Sequence, residues 1–157
     1  MCAMCEGQTA EDFVADVVAD IDRAGWAVVA VEDERGDHVY TYTVGLTRCH
    51  GHPELLAGGR DFDVAHHVLD DLAALVVDGR RLEPGELLDR GELGRACLMV
   101  RVTSPSRLPI AQAVYGAEGM GPVPALQVVW EDADGRWPWE PGPPSEQQVY
   151  GKPSPNR

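Results

Sequence analysis

Residues 26–31 read Trp-Ala-Val-Val-Ala-Val, and residues 39–44 read Val-Tyr-Thr-Tyr-Thr-Val. The first run is rich in β-branched residues and the second alternates, so both are expected as strands. The segment from Asp33 to Asp37, with Gly36, reads as the turn that joins them in a hairpin. Upstream, Thr9 is a good N-cap, and Glu11 and Asp12 suit the positive end of a helix dipole. Phe13, Val14, Val17, Val18 and Ile21 recur at helical spacing up to Gly25. Downstream, a second helix is expected over about 63–77, with Val68, Leu69, Leu72, Leu75 and Val76 on its buried side. Residues 45–59 read as a loop and 80–94 as a polar connector. Ala96 to Val102 reads as a third strand, Pro109 to Tyr115 as a short helix, and Ala125 to Trp130 as a fourth strand. The resulting order, α-β-β-α-β-α-β, predicts an α+β fold. It would be one domain with a mixed or largely antiparallel sheet and helices packed on one face. Residues 1–8 form a lead-in, 9–150 the domain, and 151–157 a Pro-rich tail expected to be disordered.

Composition narrows the class of function. The 157 residues are 44% hydrophobic and 25% charged, as in a globular domain with a real core. The formal charge of −13, with 26 acids against 13 bases, speaks against nucleic acid, which needs a basic face to displace counterions. No apolar run is long enough to span a bilayer, so no membrane partner is expected. The start, Met1-Cys2-Ala3-Met4-Cys5-Glu6, lacks the basic and apolar regions of a secretory signal. A cytoplasmic location follows as an expectation, with the four cysteines reduced rather than paired. Lys152 is the only lysine. Arginine in place of lysine, with abundant Ala, Val, Gly, Asp and Pro, points to a high-GC bacterial source.

Three groups of residues carry chemistry. Cys2-x-x-Cys5 can grip a metal ion through two thiolates, and Cys49, His50 or His52 can complete a tetrahedral site for zinc or another thiophilic metal. The plainer reading is a tail with free thiols and a polar loop. His52 and Glu54 lie near Tyr42 and can supply a base, an orienting group and a proton donor. The plainer reading is turn chemistry set by Pro53. Trp130, Trp137 and Trp139 lie among Glu131, Asp132 and Asp134 and can line a pocket for a flat or cationic ligand, together with Tyr42, Thr43 and His52. The plainer reading is a turn at 132–135 with tryptophans packed as a lid on the core. Cys97 sits in an apolar strand and is assigned to the core. His66 and His67 have Asp70 and Asp71 four residues on, which pairs them across a helical turn. Gly116-x-x-Gly119-x-Gly121 has the wrong spacing for a dinucleotide loop, and there is no Gly-x-Ser-x-Gly elbow.

In order, the chain carries Gly25-Trp26, then Tyr42-Thr43-Val44-Gly45-Leu46 and His52-Pro53-Glu54-Leu55. Later come Leu126-Gln127-Val128-Val129-Trp130, Asp134-Gly135 and Trp137-Pro138-Trp139-Glu140. Together these resemble a widespread bacterial family known as domain of unknown function 4262, from the first helix to the Trp-Pro-Trp segment. Leu56-Ala57-Gly58-Gly59 departs slightly from the family's Gly-Leu pattern. The Cys-x-x-Cys start looks like a feature of actinobacterial members. The resemblance implies fold and location but no activity. Three functions stay open: a module binding a small ligand or metal, a small enzyme using His52, Glu54 and Tyr42, and an acidic adaptor docking a protein.

Overall fold

The computed structural model describes residues 9–32, 34–36, 38–89, 94–102, 108–117 and 123–150. Local chemistry sets the first helix, α1 (Ala10–Ala24). The Thr9 hydroxyl accepts from the Asp12 amide at 3.1 Å, and the Asp12 carboxylate accepts from the Thr9 amide at 3.4 Å. This reciprocal box satisfies two donors that a helix start leaves open. Gly25, at φ 93°, closes the other end by donating to the Ile21 carbonyl at 2.8 Å. Strands β1 (Ala27–Glu32) and β2 (His38–Val44) pair antiparallel, Ala27 opposite Val44. The chain continues through α2 (Leu46–His50), β3 (Glu54–Ala57), α3 (Phe62–Val77), β4 (Leu87–Leu88), β5 (Cys97–Arg101), α4 (Pro109–Ala117) and β6 (Ala125–Trp130).

The described strands form one sheet in the order β1-β2-β3-β6-β5-β4. Every neighbouring pair is antiparallel except β3 and β6, which run parallel. The fold is thus α+β with a mixed, mostly antiparallel sheet. Two segments depart from the sequence reading. The segment expected as a loop, 45–59, holds the short helix α2 and the central strand β3, and the connector 80–94 holds β4.

The helices also cover both faces rather than one. Leu126, Val128 and Trp130 pack with Leu69, Leu72 and Val76 of α3. On the opposite face Val29, Tyr40, Tyr42, Leu56 and Ala125 pack with Val17 and Ile21 of α1 and with Ala111, Val114 and Tyr115 of α4. The physical reason is visible in β6, whose six residues are all buried. A strand covered on both faces reads as a continuous apolar run, not as an alternation. Truncating one of the fully buried leucines, such as Leu69 or Leu72, costs about 2–5 kcal/mol.

A C-terminal segment straps the end of the sheet. The Gln147 side-chain carbonyl accepts from the Trp130 amide at 3.1 Å, and its NH2 donates to the Trp130 carbonyl at 2.8 Å. Gln127 holds the same segment from the next register, accepting from the Tyr150 amide at 2.7 Å and donating to the Gln148 carbonyl. Gly58 is where the strap crosses. A Cβ there would lie 2.2 Å from the Gln148 carbonyl oxygen, so the backbones meet only because the side chain is absent.

Candidate functional site

Glu54, the first residue of β3, is completely buried. An unpaired carboxylate there would cost several kcal/mol, so its partners decide whether the fold tolerates it. Among the described residues no cation pairs with it; four donors do the work instead. Oε1 accepts from the Thr43 hydroxyl at 3.0 Å and the Leu46 amide at 3.1 Å. Oε2 accepts from the Thr47 amide at 3.0 Å and the Tyr115 hydroxyl at 2.6 Å. Each donor is fixed in that role. The Thr43 oxygen already accepts from the Leu55 amide at 2.9 Å, and the Tyr115 oxygen from the Gly45 amide at 2.7 Å. Two donors per oxygen fill the ordinary acceptor positions of a carboxylate. Burial pushes the Glu54 pKa above its ordinary value, and the donors pull against that shift. Burial, then the Glu54 charge, raises the Tyr115 phenol, so it keeps the proton it donates.

Backbone geometry makes this cradle. Gly45 turns the chain at φ 121°, and a Cβ on it would lie 2.9 Å from the Gly25 carbonyl oxygen. That turn aims the first two amides of α2 at Glu54. Tyr42, two residues before Val44, is used elsewhere. Its hydroxyl accepts from the Ile110 amide at 2.8 Å in the first turn of α4. Burial raises its pKa above the ordinary tyrosine value.

His52 is buried beside the same corner. Its Nε2 accepts from the Leu82 amide at 2.9 Å, which places the proton on Nδ1, 2.7 Å from the Pro53 carbonyl. Burial lowers its pKa, and the ring is neutral. Both nitrogens are therefore committed to the backbone. Cys49 and His50 are exposed on the last turn of α2. Cys2 and Cys5 lie outside the described residues. Among the described residues no three His, Cys, Asp or Glu side chains converge on a metal position. Buried Cys97 has its thiol pushed up to about 12, which removes thiolate chemistry near neutral pH. On α3, His66 meets Asp70 at 3.2 Å as expected, while His67 faces the Asp63 carbonyl at 3.0 Å rather than Asp71.

The tryptophans gather at the other end of β6. Trp130 is buried, with the Arg95 guanidinium 6.0 Å from its ring centre. Trp137 packs against Leu98, Val100 and Val129 and stacks on the more exposed Trp139, with centroids 5.4 Å apart and planes 8° from parallel. The turn expected at 132–135 forms: the Asp132 carboxylate accepts from the amides of Asp134 and Arg136, each at 2.9 Å. Between this turn and the strap lies a cleft of about 290 Å³ walled by Trp130, Asp132, Arg136, Trp137, Glu140 and Gln147. The structure thus brings Trp130 and Trp137 to one cleft, with Trp139 stacked behind. Tyr42, Thr43 and His52 are engaged in internal hydrogen bonds. Sequence reasoning missed Tyr115, which lies 61 positions from Glu54 on another helix; no local spacing signals that pairing.

The fold and its buried carboxylate corner define a two-sided α+β sheet domain. More particularly, the chain belongs to the family described as domain of unknown function (DUF4262), whose family model matches residues 20–144. No curated protein and no solved structure matches the chain.

Proposed function

We propose that the chain is a binding module for a small planar organic ligand, held in the tryptophan-walled cleft. The observation that carries this reading is the cleft itself: about 290 Å³, with Trp137 as a wall and Asp132, Arg136 and Glu140 around it. That volume is near the lower end for small-molecule sites, and an apolar wall with a few polar groups is their usual make-up. The wall is fixed before any ligand arrives. Glu140 accepts from the Trp137 amide at 2.6 Å, and the Trp137–Trp139 stack holds the ring plane. A pre-set aromatic wall loses little freedom on binding, which favours affinity. The enzyme alternative has less support, because the Glu54 oxygens and His52 nitrogens are already bonded within the fold. We further propose a cytosolic location, the setting in which the free thiols of Cys49 and Cys97 stay reduced.

The test is a tryptophan-fluorescence titration of the full chain with bicyclic heteroaromatic compounds, followed by calorimetry on any that saturate. Loss of one stacking wall costs about 1.5 kcal/mol, so Trp137→Ala is expected to weaken binding at least about tenfold. Ligands that never saturate, or that bind Trp137→Ala as tightly as wild type, defeat the reading.

A further inference from the structure

A second cleft, of about 200 Å³, opens on another part of the molecule, where the loop after α3 meets the ends of β5 and β6. Its walls include Arg81, Arg101 and Glu83, and its floor includes Ala125 and Leu126. Two guanidinium groups against one carboxylate give this cleft a local charge of about +1 in a chain whose net charge is −13. At physiological ionic strength charges further than about 8 Å are largely screened, so the local balance sets what the cleft attracts. Among the described residues the fold does not consume the two arginines. Arg81 uses Nε toward Glu83 at 3.0 Å, on an exposed pair, and among the described residues its terminal NH2 groups have no further ion pair. Arg101 is exposed and has no ion pair among the described residues.

The walls are stitched in place. The Leu82 amide, next to Arg81, is anchored on His52 Nε2 at 2.9 Å. Gly85 donates to the Met99 carbonyl at 2.8 Å, and Met99 donates to the Glu86 carbonyl at 2.9 Å, so the loop is tied to β5 two residues before Arg101. Across the cleft the Glu54 amide donates to the Pro124 carbonyl at 3.0 Å. Arg101 stands opposite Leu126 in the β5–β6 register, which sets a guanidinium beside an apolar floor. Pro53, Pro84 and Pro124 line the cleft and add backbone that is already fixed in φ. This gives His52 a task that its chemistry alone did not suggest: it positions the Arg81 wall.

We propose that this cleft binds a small organic anion, a carboxylate or phosphate ester, whose charged group takes hydrogen bonds from Arg81 and Arg101 and whose apolar part lies on Ala125 and Leu126. Guanidinium groups match the planar, bidentate geometry of such oxyanions. The site is separate from the tryptophan cleft, and its success or failure is independent of that reading.

The experiment is an amide-resolved NMR titration of the full-length, isotopically labelled chain at constant ionic strength. The probes are phenyl phosphate, benzoate and inorganic phosphate. The expected result is saturable shifts centred on Leu82, Glu83 and Leu126, with phenyl phosphate or benzoate binding tighter than inorganic phosphate; which of the two binds better identifies the head group. Arg101→Gln and Arg81→Gln are each expected to weaken binding at least about tenfold, the loss of one charged hydrogen bond of about 1.5–3 kcal/mol. Both side chains are exposed, and retained dispersion of the amide spectrum verifies the fold. Arg23→Gln, on the surface of α1, is expected to bind as wild type. No saturable shift with any probe, shifts centred elsewhere, or unchanged affinity in both arginine variants overturns the proposal.

Discussion

Replacing Tyr115 by Phe removes one oxygen atom and leaves no cavity, yet it breaks both ends of a relay. The Glu54 Oε2 loses its 2.6 Å donor, and the Gly45 amide loses its 2.7 Å acceptor. A hydrogen bond to a charged group contributes about 1.5–3 kcal/mol, and a buried N–H left without a partner costs about 1–3 kcal/mol. The two together give about 2.5–6 kcal/mol, centred near 4, a large part of the 5–15 kcal/mol that typically holds a domain. With a urea slope of about 2 kcal/mol/M, the midpoint falls by roughly 2 M. In a chain of this length Tm falls by roughly 10 °C. The control is Tyr42→Phe, which takes the acceptor from the Ile110 amide at a part-buried helix start, touches no charged group, and costs about 1 kcal/mol. Urea unfolding followed by far-UV circular dichroism measures both. Glu54→Gln combined with Tyr115→Phe is expected to cost less than the sum of the two changes, because they share one bond. A loss of 1 kcal/mol or less in Tyr115→Phe, or full additivity in the double variant, refutes the account of Glu54 as a carboxylate held by this relay.

Two further outcomes are expected. Burial lowers the His52 pKa, so between that lowered value and the ordinary 6.5 the unfolded chain holds a proton that the folded chain does not. The contribution of His52 to stability is then complete above about pH 6.5 and is lost as pH falls through the folded value. The wild-type-minus-His52→Gln difference in unfolding free energy is expected to decline from pH 7 toward pH 5, and a flat difference rules out the neutral buried ring. The zinc reading of Cys2, Cys5, Cys49, His50 and His52 is tested on the purified, untagged chain, where bound zinc would be near-stoichiometric. Elemental mass spectrometry should find it lost in Cys49→Ser but kept in His52→Gln, whose ring nitrogens are already bonded; a metal-free wild type removes the zinc reading.

What the sequence made legible follows from how local each signal is. The Thr9 cap, the Gly25 stop, the alternation of Val39 to Val44 and the helical spacing of Val68, Leu69, Leu72, Leu75 and Val76 act over a few residues, and α1, β2 and the helix expected over about 63–77 are legible from them. Strand β3 was not. It is four residues long, begins with a buried glutamate and follows a one-turn helix that starts at a glycine with positive φ, all of which read as loop. The two-sided burial of the sheet is written in β6, where five of the six residues are apolar and Gln127 alone is polar, a cue that the expectation of helices on one face did not use. At the corner, His52 and Glu54 were picked out as reactive types. Their partners, the Leu82 amide and the Tyr115 hydroxyl, lie 30 and 61 positions away and leave no trace in spacing. The reactivity of a residue type is local information, whereas whether its lone pairs are free is tertiary information.

That distinction also argues for where ligands go. Covering both faces of the sheet leaves its polar groups no water, so each must find a partner inside the protein. Glu54 spends itself joining the β2–α2 corner to α4, His52 joins the start of β3 to the loop before β4, and Gln127 and Gln147 join β6 to the strap. These groups link segments distant in sequence and select one arrangement of the chain. Groups with capacity to spare among the described residues stand at the margins: the terminal nitrogens of Arg81, the guanidinium of Arg101 and the wall of Trp137. Changes to the first set should therefore act on stability and leave affinity alone in whatever fraction remains folded. Changes to the second set should do the reverse. A Glu54→Gln chain that stays folded with unchanged stability but loses ligand would move the recognition site into the interior and break this division.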